Sequence, residues 1–113
     1  MDRIKEALLL ARIQSGSGTA FIEAYDFFAP KLYRHALFRT SSPEVADDIA
    51  SETFVRAWEV VREKSTEIRH LKAFLYRIAD NLIIDHYRKN SRAAVPISEE
   101  IEETLRAPGD PHE

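Results

Sequence analysis

Cysteine is absent from the 113 residues, which at once excludes disulfides, zinc fingers and thiol nucleophiles. Glycine and proline are scarce, at three and five residues. That is too little turn material for a hairpin-rich sandwich or barrel. Long hydrophobic runs are missing as well. The opening run from Ala7 to Ala11 covers only five residues, and no small-residue cleavage site follows it. Neither a signal peptide nor a membrane span is legible, so the cytoplasm is the default compartment. No internal repeat or low-complexity tract is visible. Gly16 and Gly18 in "SGSGT" lack both a preceding strand and the third glycine of a dinucleotide-binding fingerprint, and they read as a loop.

What is present is a soluble, helix-leaning composition, 44% hydrophobic and 31% charged. A chain of this size can bury roughly two-thirds of the surface its unfolded form exposes, enough for one real core. The net charge of −3 hides an uneven distribution. Residues 1–61 carry 7 basic and 9 acidic groups, residues 62–92 carry 8 and 4, and residues 93–113 carry 1 and 6. A partner meets the local field, because salt screens charges beyond about 8–10 Å. A basic block ahead of an acidic tail therefore keeps a nucleic-acid partner open.

Periodicity predicts four amphipathic helices. The first, Asp2–Gln14, places Ile4, Ala7, Leu8, Ala11 and Arg12 along one stripe. The second, from about Thr19 to Arg39, draws its apolar face from Phe21, Ile22, Tyr25, Phe28, Leu32, Ala36 and Phe38, with a kink expected at Pro30. In "SSPE", Ser41 or Ser42 caps a third helix, Pro43 suits its first turn and Glu44 its positive end. That helix, Pro43–Glu63, turns Ala46, Ile49, Ala50, Thr53, Phe54, Ala57, Trp58 and Val61 inward. The fourth, about His70 to Arg92, packs along Leu71, Phe74, Leu75, Ile78 and Leu82, with Asp85 a candidate buried acid. The fold class is all-α, a compact bundle of about four helices over residues 1–92, followed by an acidic linker or mobile tail over 93–113.

Three constellations carry possible chemistry. Asp48, Glu52, Val55 and Glu59 recur at four, three and four residues, hence on one helix face. Such a run is ordinarily a solvated face, but an exposed valine among acids also suits docking of a basic partner. "EIRH", Glu67 to His70, has the Glu-x-x-His spacing of carboxylate-bridged metal bundles, yet His35, His86 and His112 have no acid three residues earlier. No metal, no cofactor and no catalytic set follows, so an enzyme is not expected. Finally, "FLYRIADNLIIDHYRKN" offers more polar and aromatic positions than one packed face can take. Tyr76, Arg77, Asp80, Asn81, Ile84, Tyr87, Arg88, Lys89 and Arg92 leave a second face suited to phosphates and unpaired bases.

"ADDIASETFVRAW" (46–58) followed by "LKAFLYRIADNLIIDHYRKN" (71–90) resembles region 2 of bacterial sigma factors, in particular the extracytoplasmic-function branch of the sigma-70 family. The preceding "AFIEAYDFFAPKLYRHALFRTSSPEVA" (20–46) is similar to that family's entry helix and turn, and the likeness covers roughly residues 7–92. It implies a transcription initiation factor that binds the clamp coiled coil of core RNA polymerase and holds the −10 element of promoter DNA on its non-template strand. Asp47, Asp48, Ile49, Ser51, Glu52 and Phe54 match the docking motif, with Val55 and Glu59 extending its face. Asn81, Asp85, Arg88 and Lys89 match the −10 helix, and Glu63–Arg69 matches a loop that captures a flipped base. Lys64, Arg69, Lys72, Arg77, Arg88, Lys89 and Arg92 are the expected cationic DNA contacts. An anti-sigma factor is a further implied partner, and no membrane is involved. Ser51 stands where many members have glutamine and Phe74 where many have tryptophan, and the family's −35-reading domain is not expected within these 113 residues, which read either as an excised domain or as an incomplete factor. The alternative is a helical protein-binding module, such as a clamp decoy, that reads no DNA.

Overall fold

A computed structural model describes residues 1–64 and 66–94, with side chains through Ser91. The tail expected over 93–113 lies outside the described residues from 95 onward, as does Ser65 of the expected base-capturing loop. Among the described residues, four helices follow one another: α1 (Arg3–Gln14), α2 (Gly18–Thr40), α3 (Pro43–Glu63) and α4 (Leu71–Ala94). Helix α2 is central, packing on α1, α3 and α4. Among the described residues, no helix is long and apolar enough to cross a membrane.

The helix boundaries follow local chemistry. Asp2 caps α1 by accepting the Lys5 N–H at 2.8 Å, and Ser17 caps α2 by accepting that of Ala20 at 3.1 Å. Between them the chain reverses at Gly16, whose φ of +101° is open to glycine and strained for other residues. The two serines before Pro43 divide their work. Ser41 ends α2 in a left-handed conformation, returning its N–H to Leu37, while Ser42 caps α3 through the Val45 N–H at 3.3 Å. Helix α3 ends on Lys64, again left-handed, with its N–H on the Val60 carbonyl. The start of α4 is capped from a distance. Glu6 of α1 accepts the Lys72 N–H at 3.0 Å, tying the first helix to the last.

The core differs from the expected one in an informative way. Helix α3 buries Ala46, Ile49, Ala50, Thr53, Phe54, Ala57 and Val61, as its periodicity predicts, with Trp58 half-buried. Helix α2 instead buries the strict four-residue ladder Ala20, Ala24, Phe28, Leu32 and Ala36. Ile22 and Tyr25 are exposed, and Phe38 is 85% exposed. The alanines of α2 and α3 place little between their backbones, and small side chains at a helix contact shorten the interaxial distance. The expected α1 stripe is also wrong. Leu9, Leu10 and Ile13 are buried, while Ile4 and Leu8 face solvent. The run Ala7–Ala11 is apolar on every side, so it carries no phase. Helix α2 continues through Pro30, whose missing N–H denies the Asp26 carbonyl its usual helical donor.

In α4 the buried positions are Leu71, Leu75, Ala79, Asp80 and Ile83, with Phe74, Ile78 and Leu82 packed at the margin. The buried acid is Asp80, not Asp85, whose side chain is 47% exposed. Asp80 Oδ1 lies 2.7 Å from His35 Nε2 of α2, both side chains nearly enclosed. Arg39 reaches His35 Nδ1 at 3.1 Å. A guanidinium only donates, so the contacts suit Nδ1 as acceptor from Arg39 and Nε2–H as donor to Asp80. Tyr76 sets its ring edgewise against His35 at 4.9 Å, and the Tyr87 hydroxyl donates to the Arg39 carbonyl. Burial pushes the Tyr76 phenol above its ordinary pKa. The Arg34 charge opposes that shift, Asp80 adds to it, and Arg39 opposes it again.

Candidate docking and nucleic-acid interface

Helix α3 carries the outward stripe that its spacing predicts. Asp47, Asp48, Ser51, Glu52 and Glu59 are exposed, and Val55 is 52% exposed among them. Ile49 and Phe54, expected to touch a partner, are instead buried at 6% and 4% exposure. They hold the stripe from beneath, because residues that face the core cannot also face a partner. The Glu52 carboxylate accepts from Arg56 one turn on at 3.2 Å, in a pair half-open to solvent on both sides. Such a pair exchanges readily for partner contacts.

Two grooves flank this stripe. Toward α2, Phe21, Tyr25, Phe54, Val55 and Trp58 line an open cavity of about 630 Å³. Its rings meet edge to face: Tyr25 on Phe54 and Phe21 on Trp58, each at 4.9 Å, and Phe21 on Phe54 at 6.0 Å. A smaller hollow of about 300 Å³, between Tyr33, Pro30 and Asp47, adjoins this aromatic trough and shares Tyr25 and Ser51 with it. The sequence signals this aromatic trough only through the excess of aromatics in α2 over what one packed face needs. Toward α4 lies a second groove of about 460 Å³, with Asp48 and Glu52 on one wall and His86 and Lys89 on the other.

The expected DNA contacts do not form one surface. Arg77, Asn81, Ile84 and Arg88 recur at four, three and four residues and share the α4 stripe opposite its buried face. Arg77 and Asn81 are exposed. Arg88 is more enclosed, its side chain 27% exposed and its Nη1 3.9 Å from Asp85 Oδ1. Lys89 falls off this stripe and into the groove beside Asp48 and Glu52. Lys64 and Arg69 are exposed on the α3–α4 connection, and Arg69 sits 3.6 Å from Glu67 in an open pair. Lys72 stands at the first turn of α4, its ammonium 5.9 Å from the centre of the Tyr76 ring. The Arg92 side chain lies outside the described residues. Among the described residues, no group of three or more histidine, aspartate or glutamate side chains is placed to hold a metal ion.

Comparison with known proteins gives the arrangement a context. The family model for Sigma-70 region 2 matches residues 24–93. The ECF RNA polymerase sigma factor BldN of Streptomyces coelicolor is 33% identical over 97 residues, covering 86% of this chain and 36% of that protein. The factor SigW of Bacillus subtilis is 36% identical over 81 residues, covering 71% and 42%. SigL of Mycobacterium tuberculosis is 37% identical over 78 residues, covering 64% and 44%. The chain thus spans about two-fifths of the length of these curated relatives.

Proposed function

Because the chain belongs to the sigma-70 region 2 family, we propose that it docks on core RNA polymerase through α3 and engages the melted −10 promoter element through α4. The observation that carries this reading is the pairing of two unlike faces on one helical bundle. On α3, exposed Val55 sits among Asp48, Ser51, Glu52 and Glu59, beside an aromatic trough. Apolar anchors within a charged rim are where protein interfaces concentrate their energy. On α4, Arg77 and Arg88 can neutralise phosphates, and the Asn81 amide between them can hydrogen-bond an unpaired base. Lys64 and Arg69 on the α3–α4 connection and Lys72 on the first turn of α4 are further candidate phosphate contacts, apart from that stripe. The role is one of binding and positioning, carried out in the cytoplasm. A regulatory protein of the anti-sigma type, covering the aromatic trough, is a further partner under this reading.

The decisive experiment measures association of the chain with core polymerase after Asp48→Arg and Glu52→Arg are made together. Two reversals opposite a basic partner replace attraction by repulsion, and affinity falls at least about tenfold. Wild-type affinity in the folded double variant would remove α3 as the docking face.

A further inference from the structure

We propose that one turn of α2, residues 35–39, is a positioning element for the nucleic-acid face of α4, holding that helix at a fixed rotation and register. The inference rests on the reading of α4 as the nucleic-acid face and goes beyond it by assigning work to residues beneath that face. Three side chains of α4 converge on this turn. Tyr76 sets its ring 4.9 Å from that of His35, Asp80 Oδ1 lies 2.7 Å from His35 Nε2, and the Tyr87 hydroxyl donates to the Arg39 carbonyl. The turn is itself held. Arg39 Nη1 reaches His35 Nδ1 at 3.1 Å and the His35 carbonyl at 3.3 Å. The His35 and Asp80 side chains are only 8% and 11% exposed, so water does not readily replace their contact.

The anchors and the nucleic-acid stripe share one spacing. Tyr76, Asp80 and Tyr87 recur at four and seven residues, and each immediately precedes a stripe residue: Arg77, Asn81 and Arg88. At about 100° per residue the three anchors fall within roughly 40° of one another, and the stripe lies about 100° further round. Rising about 1.5 Å per residue, the anchors span about 16 Å of helix axis from Tyr76 to Tyr87. Two separated polar ties resist both turning and sliding of α4, which the apolar contacts of Leu75, Ala79 and Ile83 do not do alone. Side-chain atoms of a helix stand about 5–6 Å from its axis, so a turn of about 20° carries the stripe about 2 Å sideways. A shift of that size takes a hydrogen bond out of its working range.

The test uses the full chain with Asp80→Ala, Asp80→Asn, Tyr87→Phe and Arg77→Ala, each checked for folding by circular dichroism at the assay temperature. Affinity is measured for core polymerase and for a single-stranded −10-like oligonucleotide at fixed salt. Asp80→Ala and Asp80→Asn remove the same negative charge, but only asparagine keeps an oxygen that can accept from His35. Electrostatics alone therefore raises oligonucleotide affinity equally in both. Positioning gives a different pattern: Asp80→Ala loses about fivefold, Asp80→Asn stays at wild-type affinity or above, and core affinity holds within about twofold in both. Tyr87→Phe removes only a hydroxyl, weakens oligonucleotide binding about threefold, and carries the test if Asp80→Ala does not fold. Equal oligonucleotide affinities in Asp80→Ala and Asp80→Asn, or wild-type affinity in Tyr87→Phe, would overturn the proposal. So would a matching loss of core affinity, which marks a general weakening of the fold. Arg77→Ala separates the failures. If it leaves oligonucleotide affinity unchanged, the nucleic-acid reading of α4 falls; if it weakens binding while the anchor variants do not, only the positioning element falls.

Discussion

Helix α3 rests on hydrocarbon, whereas α4 rests partly on a buried polar network. Beneath the α3 stripe lie Ile49, Phe54, Ala57 and Val61. Beneath α4, beside Leu75, Ala79 and Ile83, Asp80 is bonded to His35, and Arg39, Tyr76 and Tyr87 close around the pair. The two supports do different things. Apolar packing is strong but tolerates small rotations of a helix, since dispersion has no direction. A hydrogen bond to an enclosed carboxylate fixes rotation, because a small turn leaves a desolvated acceptor unmet. Under the proposed function, a docking face that offers a valine and a row of acids would accept some play, whereas a face that aimed Arg77 and Asn81 at a strand would gain more from a fixed azimuth.

The comparison is broken most severely through the hydrocarbon side. Phe54 is 4% exposed and makes edge contacts with Phe21 and Tyr25, so Phe54→Ala removes both core volume and the floor of the trough. We expect a loss of about 3–5 kcal/mol in denaturant-induced unfolding. A loss below about 1 kcal/mol would mean that the trough collapses to fill the space and that α3 is not held from beneath.

The polar side gives a smaller effect with a distinct signature. Asp80→Ala leaves the His35 Nε2–H without its acceptor in an enclosed site, at a cost of about 1–3 kcal/mol. Pairing it with His35→Ala completes a double-mutant cycle. If the two residues act as one brace, the double variant is less destabilised than the sum of the singles. Additive losses would show that each packs independently and that α4 is held like α3.

The same contrast explains what was legible in the sequence. Helix α3 alternates acids and apolar residues cleanly, so its boundaries, cap and buried face could be read directly from "SSPEVADDIASETFVRAW". Helix α2 could not be phased that way. Its contact face is built from alanines, which carry a weak hydrophobic signal, while Ile22, Tyr25 and Phe38 point outward. Helix α4 misled by charge. Asp80 and Asp85 are equivalent by type, and only a partner from α2, 45 residues away in sequence, decides which is enclosed. The position of Lys89 was hidden for a related reason. It adjoins Arg88 in the chain, but adjacent residues on a helix face different neighbours.

The smallest expected effect tests whether α4 has a third support, the capping contact from α1. Glu6 Oε2 accepts the Lys72 N–H at 3.0 Å, so α1 caps α4 from a distant part of the chain. An acidic side chain at a helix N-terminus satisfies one orphan donor and meets the positive end of the dipole. The bond is exposed, which keeps its value near that of an ordinary cap. Glu6→Ala should therefore cost about 0.5–1 kcal/mol, less than Asp80→Ala. Global unfolding barely resolves so small a change, and amide hydrogen exchange is the better probe. The Lys72 N–H should exchange about two to five times faster in the variant, with core amides of α2 unchanged. Equal acceleration throughout α4 would mean instead that Glu6 sets the stability of the whole helix, and the division of labour between its apolar and polar supports would have to be redrawn.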